Sequence, residues 1–105
     1  MVLGAQKNRD RVAWVIISFV MDKYDVNVFE NTRKKEVIDA RRTAIHLLYI
    51  YTRLSVTEIG KLFDQDHSTV THANQVLRSE CLQYPDIRER VIRDETEIEC
   101  LLQNI

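Results

Sequence analysis

Pro85 is the only proline in this chain of 105 residues, and Gly4 and Gly60 are its only glycines. Strand-rich proteins reverse direction often and use Gly and Pro at those reversals, so a chain this poor in breakers does not read as all-β. Long helices follow instead. Hydrophobic residues make up 45% and charged residues 30%, a balance that suits one packed core and excludes a disordered or fibrous chain. The length fits a single all-α domain over residues 1–105, of about five helices.

Apolar spacing places those helices. Val12, Val15, Ile16, Phe19 and Val20 recur at helical intervals and predict a helix from about Asn8 or Asp10 to Tyr24, with Trp14 in the core. The mixed run Asp25–Thr32 reads as a loop. A longer helix is expected from about Arg33 to Thr52. Its wide apolar stripe, with Val37, Ala40, Ala44, Ile45, Leu47 and Leu48, makes it central, and Tyr49 and Tyr51 are also assigned to the core.

Ser55-Val56-Thr57-Glu58 has the form of a capping box and opens a short helix that turns Ile59, Leu62 and Phe63 inward. Gly60 within it costs about 1 kcal/mol relative to Ala, which a close approach of another helix would justify. Asp64-Gln65 breaks the pattern, Asp66 caps a further helix to about Glu80, and Pro85 opens a last helix ending near Leu102. Residues 56–79 thus read as a short helix, a tight turn and a second helix.

Charge is unevenly placed. The net charge is −1, yet residues 33–53 carry six basic and two acidic groups, while residues 85–105 carry three basic and six acidic ones. The basic block permits nucleic acid as a partner. Cys81 and Cys100 form no CxxC pair and lack ligand spacing with His46, His67 and His72, so reduced thiols and no metal or other cofactor are expected. The longest apolar run, near Val12–Met21, is too short for a bilayer. No signal peptide shape precedes it, so a cytoplasmic protein is expected, nucleoid-associated if the basic block binds DNA.

On the helix that Asp66 caps, Val70, Ala73 and Leu77 fall on one side, and Ser68, Thr71, His72 and Gln75 on the other. Short hydrogen-bonding side chains on an outer face are what a helix needs to read base edges in the major groove, and its first turn usually makes the contacts. The pattern alone leaves open both a DNA-reading helix and a plain αα-hairpin with a solvated face.

Further residues carry a resemblance. Ile59-Gly60-Lys61-Leu62-Phe63, then Asp66-His67-Ser68-Thr69-Val70, then His72-Ala73, is similar to the signature of the C-terminal DNA-binding domain of the bacterial replication initiator DnaA. Arg33-Lys34-Lys35-Glu36-Val37, Ala40-Arg41, Ser55-Val56-Thr57-Glu58 and Tyr84-Pro85-Asp86-Ile87-Arg88 resemble flanking segments of that family, over about residues 10–103. The resemblance implies a helix-turn-helix protein that binds double-stranded DNA in replication initiation or its regulation. It implies that Arg41 enters the minor groove and that Asp66, His67 and Ser68 read bases. Thr69 and the Ser55, Val56 and Thr57 segment would approach phosphate, and Lys34 and Lys35 would flank the duplex. Gln65, Thr71 and His72 complete the candidate DNA-binding set.

This chain departs from the family pattern in the turn, which reads Asp64-Gln65 where Gly and Arg are usual. Ser68 replaces the commoner Thr, and Arg42 stands where Gln is frequent. These 105 residues contain no Gly-x-x-x-x-Gly-Lys-Ser/Thr, hence no P-loop. If they are the whole protein, a stand-alone module of a phage or mobile element is expected. Catalysis has the least support, since His67 beside Asp66 is the sole acid/base pair and nothing accompanies it. The rival reading is a protein-interaction module on the same fold, binding an initiator or regulator. The acidic last helix carries that rival, unless it faces away as a solvated surface with Ile87, Val91, Ile98 and Leu102 packing on the core or forming a dimer seam. The sequence sets no oligomeric state.

Overall fold

A computed structural model describes the backbone of residues 2–104 and the side chains of residues 9–104, so Met1 and Ile105 of the expected 1–105 domain lie outside the described residues. Among these there are five helices and no strand: α1 (Val2–Tyr24), α2 (Lys35–Tyr51), α3 (Val56–Leu62), α4 (His67–Gln83) and α5 (Pro85–Leu102). The central helix is α2, which packs on α1, α3 and α4, while α5 closes over α1 and α4. No helix among the described residues is long and apolar enough to cross a membrane.

Four boundaries differ from the sequence expectation. The start of α2 falls at Lys35 rather than Arg33, because Lys34 takes extended backbone angles as its N-cap. α1 begins at Val2 rather than near Asn8, because only Gly4 interrupts the preceding residues and a single glycine does not stop a helix. α2 ends at Tyr51, since Thr52 takes extended backbone angles and its hydroxyl donates to the Leu48 carbonyl at 2.6 Å. α4 continues to Gln83 and stops only where Tyr84 precedes Pro85.

The core joins Ile16, Ile17 and Val20 of α1 to Ala44, Ile45, Leu47 and Leu48 of α2, Ile59 of α3, Val70 of α4 and Ile98 of α5. Val28 is fully buried and pins the α1–α2 loop to this core. Trp14 is not part of it: the side chain is 54% exposed, because α1 turns Ala13, Ile16, Ile17 and Val20 inward and leaves Trp14 on the side of Arg11 and Ser18. Its ring leans on Phe29, which stacks on Phe63 with centroids 5.4 Å apart. Tyr49 is half exposed on the outer side of α2, also contrary to expectation.

The acidic helix is not a free solvated surface. Asp94 is fully buried and accepts from Lys23 Nζ at 2.6 Å and from the Tyr24 hydroxyl. Arg90 reaches the Tyr24 and Thr43 hydroxyls at 3.2 and 3.3 Å. Glu95 pairs with His46 at 2.9 Å, Glu97 with Lys23 at 2.8 Å, and Glu99 accepts from the Tyr51 hydroxyl at 2.7 Å. Burial, helped by the Asp94 and Glu99 carboxylates respectively, pushes the Tyr24 and Tyr51 hydroxyls above their ordinary pKa. Four carboxylates of α5 are thereby committed to α1 and α2, and Val91 and Ile98 complete the packing.

Candidate nucleic-acid interface

The turn between α3 and α4 is built from local chemistry. At its start the capping box is formed in both directions, with the Glu58 amide donating to Ser55 Oγ at 3.1 Å and the Ser55 amide to Glu58 Oε1 at 3.0 Å. The Ser55 amide foremost, with the charge of Arg9, holds the Glu58 carboxyl below its ordinary pKa. At the end of α3 the Phe63 and Gln65 amides both donate to the Gly60 carbonyl, at 3.1 and 2.8 Å. The second of these is the 6→1 bond of a helix C-terminus and wraps the chain around Asp64, which sits in the left-handed region at φ 55°. That geometry explains why glycine is favoured in this turn and shows what Asp64 costs: an L residue there is strained by roughly 1 kcal/mol.

Gly60 answers the question raised by its place in a helix. A Cβ on it would lie 2.3 Å from the Gln65 carbonyl oxygen and 3.4 Å from the Asp66 carbonyl carbon. The turn crosses directly over α3, and only a residue without a side chain lets the start of α4 come so close.

Asp66 then caps α4. Its Oδ1 accepts from the Thr69 amide at 2.9 Å, from Ser68 Oγ at 2.7 Å and from Thr69 Oγ1 at 3.1 Å. These bonds, the Ser68 hydroxyl foremost, hold the Asp66 carboxyl down at about 2. With both hydroxyl protons spent on Oδ1, Ser68 and Thr69 present lone pairs outward, and Oδ2 of Asp66 has no partner among the described residues. The Thr71 hydroxyl donates to the His67 carbonyl at 3.0 Å. The first turn of α4 is thus acceptor-rich at Asp66, Ser68 and Thr69, with His67 and His72 exposed beside it. Such a face suits groups that donate, such as adenine N6 or cytosine N4.

A cleft of about 220 Å³ lies between α2, the α1–α2 loop and α4, and Arg41, Gln65, Thr69 and His72 line it together. Candidates from two segments of the sequence, Arg41 of α2 and the 65–72 turn and helix start, therefore share one wall. Arg42 and Thr32 line it too, and the only sequence signal for Arg42 as a site residue is the basic run that contains it. Arg41 is anchored: Nε donates to the Val28 carbonyl at 2.7 Å and Nη2 to the Glu30 carbonyl. Burial lowers its pKa, and two of its five N–H donors are committed to the loop.

The remaining candidates stand apart from the cleft. Lys34 and Lys35 are exposed at the start of α2, and Lys35 Nζ pairs with Asp39 at 2.6 Å, a bond that raises its pKa. Ser55, Val56 and Thr57 open α3, with Val56 half-buried and Thr57 exposed.

Comparison with known proteins gives a consistent result. The profile of the bacterial DnaA protein helix-turn-helix matches residues 14–76. The chromosomal replication initiator protein DnaA of Bacteroides fragilis is 34% identical over 70 residues, covering 63% of this chain and 15% of that protein. The protein of the same name from Bacteroides thetaiotaomicron is 30% identical over 92 residues, 84% of this chain and 19% of the relative. That from Thermus thermophilus is 44% identical over 64 residues, 57% of this chain and 15% of the relative. The chain thus spans less than a fifth of the length of these relatives.

Proposed function

The chain belongs to the bacterial DnaA helix-turn-helix family, a family of DNA-binding rather than catalytic domains, and on that premise we propose that it reads double-stranded DNA in a sequence-specific way. In this reading α4 enters the major groove. Asp66, His67 and Ser68 contact base edges there, the first two as acceptor and donor, while Thr69, its hydroxyl turned from Asp66 Oδ1 to a phosphate oxygen, lies with Lys34 and Lys35 along the backbone. The segment Ser55–Thr57 approaches a phosphate. Arg41 reaches the minor groove beside the site, its guanidinium held at Nε and Nη2 by the Val28 and Glu30 carbonyls so that its remaining donors are offered from a fixed base. Basic groups position and short polar groups specify, which is the usual division of work. The role is in replication initiation or its regulation.

The observation that supports this best is the convergence of Arg41, Gln65, Thr69 and His72 on one cleft beside a capped, exposed first turn. The protein-docking alternative draws on the acidic α5, and four of its carboxylates are spent on α1 and α2. Fluorescence anisotropy tests the reading, with a DnaA-box duplex and a scrambled duplex of equal composition at two salt concentrations. Preference for the box is expected. His67→Ala should weaken binding to the preferred site by about 1–3 kcal/mol and leave the fold intact. Arg41→Ala should weaken it and reduce the salt slope by about one. Unchanged affinity in His67→Ala refutes base reading by α4.

A further inference from the structure

We propose that α1 is a two-fold dimer seam, against which α1 of a second copy of this chain lies antiparallel. A groove of about 690 Å³ runs between α1 and α5, lined by Arg11, Trp14, Val15, Ser18, Asp22 and Leu101. At 3.6 residues per turn, Arg11, Ser18 and Asp22 fall within about 40° of one another, with Val15 beside them. Trp14 is 54% and Leu101 43% exposed, so apolar surface stands open along this stripe. Lys23 and Glu97 also line the groove but are paired with each other at 2.8 Å.

Charge identifies the occupant. Arg11 and Asp22 make no ion pair among the described residues. They stand at opposite ends of the stripe, about 16.5 Å apart along the helix. A second α1, turned antiparallel about an axis midway between Ile16 and Ile17, brings its Asp22 to Arg11 and its Arg11 to Asp22. The same register sets Val15 against Ser18, large against small, and places the two Trp14 side chains on the same face of the helix pair, about 7.5 Å apart along the helix direction. A copy of this chain satisfies all of these contacts with one symmetry axis, as an isologous interface requires. The groove shares no residue with the α2–α4 cleft, so the dimer leaves that cleft open. One helix-on-helix seam belongs at the small end of specific interfaces, about 1,200 Å², with dissociation on the order of tens of micromolar.

The inference does not rest on DNA binding, and its experiment contains no DNA. The full chain is followed by sedimentation equilibrium up to about 300 µM, well above the expected dissociation constant, with the emission of Trp14, the only tryptophan, as a second readout. The wild type should dimerise and its emission shift to the blue as it does. Arg11→Asp and Asp22→Arg, both surface changes whose folding circular dichroism checks, should each weaken association at least tenfold, because like charges then meet at both ends. An equimolar mixture of the two variants should associate again, since opposite charges face each other at both ends of the mixed dimer. A wild type that stays monomeric, or a mixture no heavier than the separate variants, overturns the proposal.

Discussion

Replacing Gly60 by alanine puts the helix-turn-helix geometry to a quantitative test. In an exposed helix the change would stabilise by about 1 kcal/mol. Here the new Cβ meets the Gln65 carbonyl oxygen at 2.3 Å, where ordinary contact begins at 3.4 Å, an overlap of 1.1 Å. The obstacle is backbone, held by the Gln65 amide on the Gly60 carbonyl and by the Asp66 cap, so no side-chain rotation relieves it. Overpacking costs about 1–3 kcal/mol, and a rigid backbone contact belongs at the upper end of that range. Subtracting the propensity gain leaves a net loss of about 2 kcal/mol. For a domain of this size that lowers the melting temperature by about 8–16 °C. Thermal and urea denaturation followed by far-UV circular dichroism measure it, with Ser79→Ala on the exposed side of α4 as a control for propensity. Because relief must move the turn, binding to a preferred duplex should fall more than binding to a scrambled one. A melting temperature that rises in Gly60→Ala refutes the close-approach argument.

Other perturbations probe the remaining contacts. Asp94→Ala leaves Lys23 and the Tyr24 hydroxyl without their buried acceptor and should cost about 3 kcal/mol in urea titrations, whereas Glu97→Ala, on the exposed side of the same lysine, should cost less than about 1. Asp66→Ala should lower the melting temperature at neutral pH. The folded carboxyl titrates at about 2 against an ordinary 3.8, so the cap's contribution is complete above about pH 4 and disappears as pH falls through about 2. The gap between wild type and variant should therefore close over that window, and a gap that persists at acid pH contradicts the cap. Asp64→Gly should relieve the left-handed backbone and stabilise by about 0.5–1 kcal/mol in the same titrations.

Much of the fold is legible in residue order because its signals are local. The capping box at Ser55, the Asp66 cap and Pro85 at the start of α5 act within four residues, and each appears where the pattern places it. Val70, Ala73 and Leu77 face the core as their spacing requires. Where the reading fails, the deciding partner is remote. Trp14 and Tyr49 belong to apolar helices, yet exposure depends on how each helix is rotated against its neighbours, and both stand outside. The acidic run of α5 looks like solvated surface until α1 and α2 bring Lys23, Tyr24, His46 and Tyr51 to it.

The candidate site divides in the same way. The chemical character of the α4 first turn follows from Asp66-His67-Ser68-Thr69, since a cap and its neighbouring hydroxyls organise themselves within one turn. The glycine at position 60 likewise announces a close approach, though not what approaches. That Arg41 is braced by the Val28 and Glu30 carbonyls, and that it shares a cleft with Gln65, Thr69 and His72, depends on contacts between residues up to 31 positions apart. Short-range hydrogen bonds are written into neighbouring residues, whereas the angle at which α2 meets α4 is fixed by packing in the core, and packing has no representation in a linear string.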